Sequence, residues 1–521
     1  MKLSTHAIVA VTSLFLVSCA AAPSGQTVSK DPAPRKNIIL MISDGIGFNG
    51  WLAADYYQGR AGVQSYQVNR PDGTESRVYG LAHSALNLVD DSGAVLPSGS
   101  DPTAASGAVE QGYDPTTRWD RFANAMANDF DPVGESYTSY TDSAAAGTAL
   151  MSGRKTAVGR INVDWRGENP FITIAERATE HGLATGAVSS VMVSHATPAS
   201  VGAHNVSRNN YADIFKEMLE SELDVIMGAG HPLYDGSGAS ITDEEDRQYK
   251  YVGNADTFAT MRTTKGSNGF RFIDEKSDFE ALARGENIPQ RVVGIARTNS
   301  TLQAARRGLA ATNTPSGMAF NEEVPNLATM SVGALNVLQQ DADGFFLMIE
   351  GGAVDWMGHA NNMPRFIEEQ VDFNLAVDAV IEWVETNSSW DDTLLIITSD
   401  HECGGIWGEG TWTNSSGGAV AAERTARSLK AARYNPTEDV FNDFLAVQDR
   451  GEGNMPGFQW ASPNHTNELV PLWAIGAGAD RFDEFTRTDL KAAELWGEQY
   501  GWDGDFVENT AVFHVMDGAL R

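Results

Sequence analysis

Three continuous apolar runs, each followed by an acidic residue, constrain the fold of this chain more than any other feature. Asn-Ile-Ile-Leu-Met-Ile-Ser (37–43) precedes Asp44, Gly-Phe-Phe-Leu-Met-Ile (344–349) precedes Glu350, and Thr-Leu-Leu-Ile-Ile-Thr-Ser (393–399) precedes Asp400. Runs without polar alternation are typical of strands buried on both faces, as in parallel sheets. The sequence therefore predicts an α/β protein with a large, mostly parallel central sheet and helices on both faces.

The remaining segments fit the same architecture. Helical patterns cover residues 144–151, 213–222, 326–340 and 367–385, and strand-like runs cover 184–193, 223–227 and 469–476. Residues 53–140, 232–290 and 404–460 lack clear periodicity and are rich in polar residues and glycine, which is typical of inserted loops. We therefore predict one domain over residues 36–521, with insertions near these three segments.

The N-terminal segment has the pattern of an export signal. Lys2 precedes an apolar run over residues 7–17, which is too short to span a bilayer as a helix. Leu-Val-Ser-Cys (16–19) fits a lipobox, which predicts a signal peptide over 1–19, lipid on Cys19 and a flexible tether over 20–35. Ordinary cleavage near residues 20–22 is the alternative. Either pattern predicts export across the inner membrane, to the periplasm or to an outer-membrane lipid anchor.

The charge balance excludes one class of partner. The chain carries 69 acidic and 37 basic residues, a net charge of −32. A nucleic acid would be repelled by this charge. The negative charge has two interpretations. One is an ordinary solvated surface, and the more specific one is adaptation to high salt, as in a halophilic protein. An anionic ligand would need a local cluster of bound cations to offset the field.

Histidines and acids recur where the buried strands end. Asp355 and His359 are four residues apart, so they share one face of a helix. Asp400 is followed directly by His401, and His465 lies farther along the chain. Imidazole and carboxylate ligands suit zinc. Since ligands of parallel sheets collect at the carboxyl ends of the strands, these residues predict a metal centre at that edge.

Five sequence blocks, in order, resemble the alkaline phosphatase family. They are Thr-Asp-Ser-Ala-Ala-Ala-Gly-Thr-Ala (141–149), Ser-His-Ala-Thr-Pro-Ala (194–199) with the segment to Arg208, Phe345–His359, Thr398–Gly404, and the segment around His465. The similarity runs from about residue 36 to 220, except for the first insertion, and again from about 325 to 480. Each block alone is a modest signal, and their common order is a strong one.

The resemblance implies hydrolysis of phosphate monoesters through a transiently phosphorylated Ser143, at two Zn²⁺ and one Mg²⁺. It implies one zinc on Asp355, His359 and His465, and a second zinc on Asp44, Asp400 and His401 with Ser143. It implies magnesium on Asp44, Thr197 and Glu350. It implies that the planar guanidinium of Arg208 donates hydrogen bonds to two phosphate oxygens. The three dications would exceed the four carboxylates by two charges, which suits a phosphate dianion. The family resemblance also implies a homodimer.

The sequence departs from one branch of the family at two positions. His195 and Trp356 stand where some bacterial members have Asp and Lys, and cold-active bacterial members share the His and Trp choice. The resemblance therefore assigns both residues to the substrate pocket and leaves the identity and occupancy of the third metal open. A phosphodiesterase of the same superfamily and a non-catalytic phosphate-binding lipoprotein are the alternatives. A sulfatase is disfavoured because Ser143 lacks the surrounding Cys/Ser-x-Pro-x-Arg pattern.

Overall fold

The computed structural model describes residues 36–96, 100–110, 112–113, 140–263, 268–308, 310–311, 314–406, 408, 446–460 and 463–520. The predicted signal peptide, tether and Cys19, together with most of the segment 404–460, lie outside the described residues.

Strands and helices alternate through most of the described chain. The strands are β1 (Lys36–Ser43), β2 (Ser76–Ala82), β3 (Leu86–Val89), β4 (Gly107–Glu110), β5 (Ala184–Met192), β6 (Val225–Ala229), β7 (Arg271–Ile273), β8 (Val292–Ile295), β9 (Gly344–Gly351), β10 (Thr393–Thr398), β11 (Glu402–Cys403), β12 (His465–Thr466), β13 (Val470–Gly476), β14 (Arg487–Thr488) and β15 (Asp505–Glu508). The α-helices are α1 (Phe48–Gln58), α2 (Ser143–Ser152), α3 (Ile174–Glu180), α4 (Ala196–Gly202), α5 (Tyr211–Glu220), α6 (Ala255–Met261), α7 (Lys276–Ala283), α8 (Leu327–Leu338), α9 (Ala353–His359), α10 (Met363–Asn387), α11 (Leu490–Tyr500) and α12 (Thr510–Ala519).

An eleven-stranded sheet forms the centre, in the order β14-β15-β2-β13-β10-β1-β9-β5-β6-β8-β7. The seven strands from β10 to β7 in this order are parallel to their neighbours, whereas β13 runs antiparallel to β10 and β2. This arrangement confirms the predicted mostly parallel α/β sheet.

Both faces of the sheet are buried, which explains the absence of polar alternation in β1. Ile38, Leu40 and Ile42 pack into a core that includes residues of α2, α3, α4, α5 and α12. Ile39 and Met41 point to the opposite face, where the core includes residues of α1, α8, α10 and α11. Because successive side chains of a strand alternate between faces, a strand covered on both sides has to be apolar throughout.

Two of the segments predicted to be inserted loops contain strands of the central sheet. β2 lies within residues 53–140 and pairs with β13 and β15 of the central sheet. The segment 232–290 contains α6, β7 and α7, and β7 forms one edge of the sheet. Within the described residues, none of the helices combines the length and the hydropathy that crossing a bilayer requires.

Candidate active site

Four neighbouring parallel strands bring the predicted site residues to one edge of the sheet. Asp44 directly follows β1, Glu350 lies near the end of β9, Asp400 follows β10, and Thr197 lies in α4 just after β5. The strand order β10-β1-β9-β5 makes these ends adjacent. The carboxyl edge of the sheet therefore gathers these residues, as expected for a ligand site in a parallel α/β fold.

The first group of the site consists of Asp355, His359 and His465. Asp355 and His359 lie one turn apart on α9, and His465 lies in β12, which pairs with β11 directly after β10. The Nδ1 atom of His359 is 2.6 Å from the carbonyl oxygen of Pro463, and that of His465 is 2.8 Å from the carbonyl oxygen of Thr141. A carbonyl oxygen only accepts, so each Nδ1 carries the proton and each Nε2 has a free lone pair in the neutral ring.

These lone pairs converge on one point. The two Nε2 atoms are 3.1 Å apart, and oxygens of Asp355 lie 3.2 Å from the Nε2 of His465 and 3.5 Å from that of His359. Two nitrogen lone pairs and a carboxylate would repel one another at this spacing unless a proton or a metal cation lies between them. Two imidazoles and a carboxylate fit Zn²⁺, whose bonds to nitrogen are about 2.0–2.1 Å long.

The second group surrounds the predicted nucleophile. The Nε2 atom of His401 lies 3.5 Å from Asp44 Oδ1, 3.4 Å from Asp400 Oδ2 and 3.3 Å from the Oγ of Ser143. The Ser143 hydroxyl is also 3.4 Å from Asp44 Oδ2. The side chains of Asp44, Asp400 and His401 are fully buried. The structure therefore brings the serine against a buried set of one nitrogen and two carboxylates.

The third predicted group consists of Asp44, Thr197 and Glu350. One oxygen of Glu350 accepts a hydrogen bond from the hydroxyl of Ser189 on β5, and the other is buried without a donor. Burial raises the pKa of Glu350 to about 7, against the opposing hydrogen bond from Ser189. This group offers oxygen atoms as metal ligands, which is the ligand type that Mg²⁺ prefers.

The buried carboxylates of the site need bound positive charge to stay ionised. Burial raises the pKa of Asp44 well above its usual range, and the charges of Asp400, Asp355 and Glu350 add to the increase. Burial likewise raises the pKa of Asp400 to about 6. Each of these four carboxylates has one buried oxygen that receives no hydrogen bond. Since buried charges are normally paired or coordinate metals, the residues present fit a cluster of divalent cations.

Ser143 is the first residue of α2, and Asp142 caps that helix. The Asp142 side chain accepts hydrogen bonds from the backbone N–H of Ala145 at 3.0 Å and of Gly159 at 3.1 Å. It also forms an ion pair with Arg208, whose Nη1 is 2.9 Å from Asp142 Oδ2. The cap thus fixes the helix start that carries the serine and holds Arg208 next to it.

His195 and Trp356 lie together beside this site. Their rings meet edge to face with centroids 5.5 Å apart, and the His195 ring lies parallel to that of Tyr211 at 6.4 Å. Burial, followed by the positive charge of Arg208, lowers the pKa of His195 to about 3. His195 is therefore a neutral side chain in the folded protein at physiological pH.

Sequence reasoning missed three residues that the structure brings to the site. Asp142 has a sequence signal, since an aspartate directly before an Ala-rich segment is a common helix N-cap. Ser189 has none, because it reaches Glu350 only through the pairing of β5 with β9. Cys403 lies among the first group, with its Sγ within 4.8 Å of donor atoms of Asp355, His359 and His465. Burial, followed by the charges of Asp355 and Glu402, raises the pKa of its thiol well above the usual range.

Comparisons with known proteins agree with the sequence blocks. A family model described as alkaline phosphatase matches residues 109–517. Alkaline phosphatase 4 of Bacillus subtilis (strain 168) is 30% identical over 380 residues, which are 66% of this chain and 73% of that protein. Streptomycin-6-phosphate phosphatase of Streptomyces griseus is 26% identical over 498 residues, which are 90% of this chain and 92% of that protein.

The fold is also similar to solved structures. The alkaline phosphatase from the Antarctic bacterium TAB5 superposes with a TM-score of 0.54 at 21% identity, covering 94% of this chain and 98% of that one. A similarity at this level of identity concerns the fold alone. A histidine-to-glutamate variant of the TAB5 protein has been solved with Mg bound in its M3 site.

Proposed function

The chain belongs to the alkaline phosphatase family of phosphatases, and from this membership we propose that it hydrolyses phosphate monoesters through a phosphoserine on Ser143. The observation that carries the proposal is the contact of the Ser143 hydroxyl with His401 Nε2 and Asp44 at the start of α2. A helix start adds positive potential, which favours both an ionised serine oxygen and an anionic phosphoryl group.

The residues present would hold three metal ions. Zn²⁺ would be held by Asp355, His359 and His465, a second Zn²⁺ by Asp44, Asp400 and His401 next to Ser143, and Mg²⁺ by Asp44, Thr197 and Glu350. The support is the convergence of lone pairs in the first group and the buried unpaired carboxylate oxygens in all three. When bound, such ions supply Lewis acidity and positive charge to the phosphoryl group and to the attacking and leaving oxygens.

The chain's own residues perform the remaining tasks. Ser143 Oγ, after loss of its proton to solvent, attacks phosphorus in line with the leaving oxygen, and the bond from phosphorus to that oxygen breaks on the opposite side as the alcohol takes up a proton. Water then attacks the phosphoserine and releases inorganic phosphate and the free serine hydroxyl. Arg208 donates two parallel hydrogen bonds to phosphoryl oxygens, and Asp142 keeps its guanidinium oriented. A monoester dianion has a third unsubstituted oxygen and a second negative charge beyond the two oxygens that fill this fork, and both can meet bound cations, whereas a diester has neither. This difference is why we propose monoesters rather than diesters as substrates.

Trapping of the phosphoenzyme tests the proposal. Purified protein is incubated with a labelled monoester, quenched at low pH and analysed for acid-stable phosphoserine. We expect label on wild-type Ser143, and a loss of turnover of at least about a thousandfold in Ser143→Ala. Ser152→Ala is the matched control, because Ser152 is a buried serine on the same helix whose hydroxyl donates to the Thr148 carbonyl.

The outcomes separate the alternatives. Incorporation of label into Ser143→Ala would refute the role of that serine. Faster release of nitrophenol from a diester than from a monoester would favour a phosphodiesterase, and phosphate binding without turnover would favour a non-catalytic protein. Export, lipid on Cys19 and a homodimeric assembly stay predictions.

A further inference from the structure

The segment around Gly159 lies alongside the loop that carries Arg208. Ile161 exchanges two backbone hydrogen bonds with Asn205, of 3.0 and 2.9 Å, and the N–H of Arg208 donates to the carbonyl of Gly159 at 2.8 Å. The N–H of Gly159 donates to the Asp142 carboxylate at 3.1 Å. The residue between Gly159 and Ile161 is therefore fixed beside the proposed active site.

That residue is Arg160, whose side chain extends along the same loop. Its Nη1 atom donates to the carbonyl oxygen of Val206 at 2.8 Å, two residues before Arg208. Its own carbonyl oxygen accepts a hydrogen bond from the hydroxyl of Thr148 on α2 at 3.2 Å. A second guanidinium thus lies on the loop that holds the first one.

The guanidinium of Arg160 has no carboxylate partner among the residues that the structure describes. Its Nε atom is buried without a hydrogen-bond acceptor, and Nη1 contacts a neutral carbonyl. Burial lowers the pKa of Arg160, and the charges of Asp101 and Asp142 oppose that decrease only in part. Arginine has five N–H donors, so the contact with Val206 leaves donors for a ligand. In a chain with 69 acidic and 37 basic residues, an arginine without an acid is a candidate binding site for an anion.

The contact with Val206 alone does not explain a guanidinium at this position. A carbonyl oxygen needs only a neutral donor, whereas a partly buried positive charge costs free energy unless an anion offsets it. Val206 and Arg208 are two residues apart, which is at most about 8 Å between their Cα atoms. A small molecule whose phosphoryl group binds Arg208 can therefore bring a second anionic group to Arg160.

We propose that Arg160 is a second anion-binding residue of the active site, and that it favours phosphate monoesters whose alcohol carries a carboxylate or another anionic group. The inference rests on the proposed function, because Arg208 has to hold the phosphoryl group that brings the rest of the substrate to Arg160. The net charge of −32 disfavours a substrate with additional negative charge. A local guanidinium offsets this repulsion at the place where the second anionic group lies.

Paired substrates of equal length test the proposal. Phosphate monoesters of ω-hydroxy carboxylic acids with two to six carbons are each compared with the alkyl phosphate of the same length, at low ionic strength and with metal-loaded protein. The measured quantity is the ratio of kcat/KM for the carboxylated ester to kcat/KM for the uncharged one. Arg160→Gln should lower this ratio by roughly tenfold at the best chain length, the effect of one hydrogen bond between charged groups.

Two further variants separate charge from geometry. The amide of Arg160→Gln still donates to the Val206 carbonyl, whereas Arg160→Lys keeps the positive charge and should retain a higher ratio than Arg160→Gln. Arg166→Gln is the matched control, because it removes the same charge from an exposed arginine that stacks on Trp165. It should leave the ratio unchanged.

The outcomes distinguish this inference from the function on which it rests. Equal losses for both esters in Arg160→Gln, at every chain length, would leave the ratio unchanged and overturn the proposal, since Arg160 would then only hold the loop at Val206. Failure of the wild type to hydrolyse either ester would reject the proposed function, and this inference with it.

Discussion

Arg208 is held in place before any substrate arrives. Its side chain is 20% exposed, and its Nη1 pairs with Asp142. An arginine fixed in this way loses little conformational entropy when it binds a phosphoryl group. More of the free energy of its hydrogen bonds to the phosphoryl group is then available for binding the substrate.

Arg208→Ala should weaken monoester turnover and inhibition by phosphate by roughly ten- to a hundredfold, the effect of one or two charged hydrogen bonds. Diester turnover should fall less, because a diester carries one negative charge where a monoester dianion carries two, and its ion pair with the guanidinium is weaker. Steady-state rates with both substrates provide the measurement. Arg166→Ala is the control, since Arg166 is exposed and stacks on Trp165. Equal losses for both substrates would contradict the assigned role.

His195 and Trp356 contribute bulk but no charge beside the third group. The imidazole is neutral and the indole packs edge to face against it. Under the proposed function, an ion held by Thr197, Glu350 and Asp44 would therefore gain no extra negative charge from position 195. Released phosphate would likewise meet no cation at position 356.

The double variant His195→Asp with Trp356→Lys should bind Mg²⁺ more tightly, be inhibited more strongly by phosphate and turn over more slowly. The added carboxylate attracts the hydrated ion, and the added ammonium retains the product. Magnesium titration of metal-depleted protein and the inhibition constant for phosphate measure the two effects. If neither changes, the two residues only pack beside the site.

At the scale of the elements, the first turn of α2 carries both the helix cap Asp142 and the proposed nucleophile Ser143. The side chain of its N-cap residue, Asp142, accepts hydrogen bonds from the backbone N–H groups of Ala145 and Gly159 and forms an ion pair with Arg208. Substitution can separate these interactions. The hydrogen bonds from Ala145 and Gly159 need only an acceptor oxygen, whereas the ion pair with Arg208 needs a negative charge.

Asp142→Asn should keep the helix cap and lose the ion pair, whereas Asp142→Ala should lose both. We expect Asp142→Ala to be less stable by about 1 kcal/mol, with a smaller loss in Asp142→Asn. Both variants should show a raised KM for monoesters, because Arg208 then has to be ordered on binding. Chemical unfolding and steady-state kinetics measure these effects. Equal free energies of unfolding for the two variants would argue against the capping role.

Elements whose own residues specify them were predictable from sequence. β1, β9 and β10 lie within two residues of their predicted bounds, because a continuous apolar run identifies a strand buried on both faces. β2 was missed because Ser-Arg-Val-Tyr-Gly-Leu-Ala is polar at its start, and its place depends on pairing with β13 and β15. β11 and β12 have two residues each and exist only through their mutual pairing. For the same reason the position of Cys403 could not be read from its neighbours in sequence.

At the scale of the whole molecule, self-repulsion is the dominant electrostatic property. The net charge is −32, and the ion pairs of the described residues use only part of the acidic side chains. Counterions screen such repulsion, since the Debye length falls from about 30 Å at 0.01 M salt to about 3 Å at 1 M.

Thermal stability and activity should therefore persist or rise as sodium chloride increases into the molar range. Calorimetric melting of the metal-loaded protein across that range is the measurement, with turnover of a monoester measured in parallel. Because chloride could extract or compete for metal, a fixed excess of Zn²⁺ and Mg²⁺ is kept throughout. A steady fall in melting temperature from low to high salt would refute adaptation to salt.

The position of β1 has a consequence for how this chain is made. Asn37 pairs with Phe345 on one side and with Thr393 on the other, and its side chain bonds to that of Thr393 across 356 residues of sequence. During synthesis the strand that bears Asp44 has neither neighbour until most of the chain has emerged, and pairings this distant form slowly. His465 comes later still, so a nascent chain lacks a complete first ligand group until nearly all of it has been translated. Under the proposed function, binding of the first ion would therefore be a late event in biogenesis, because its ligands extend to His465.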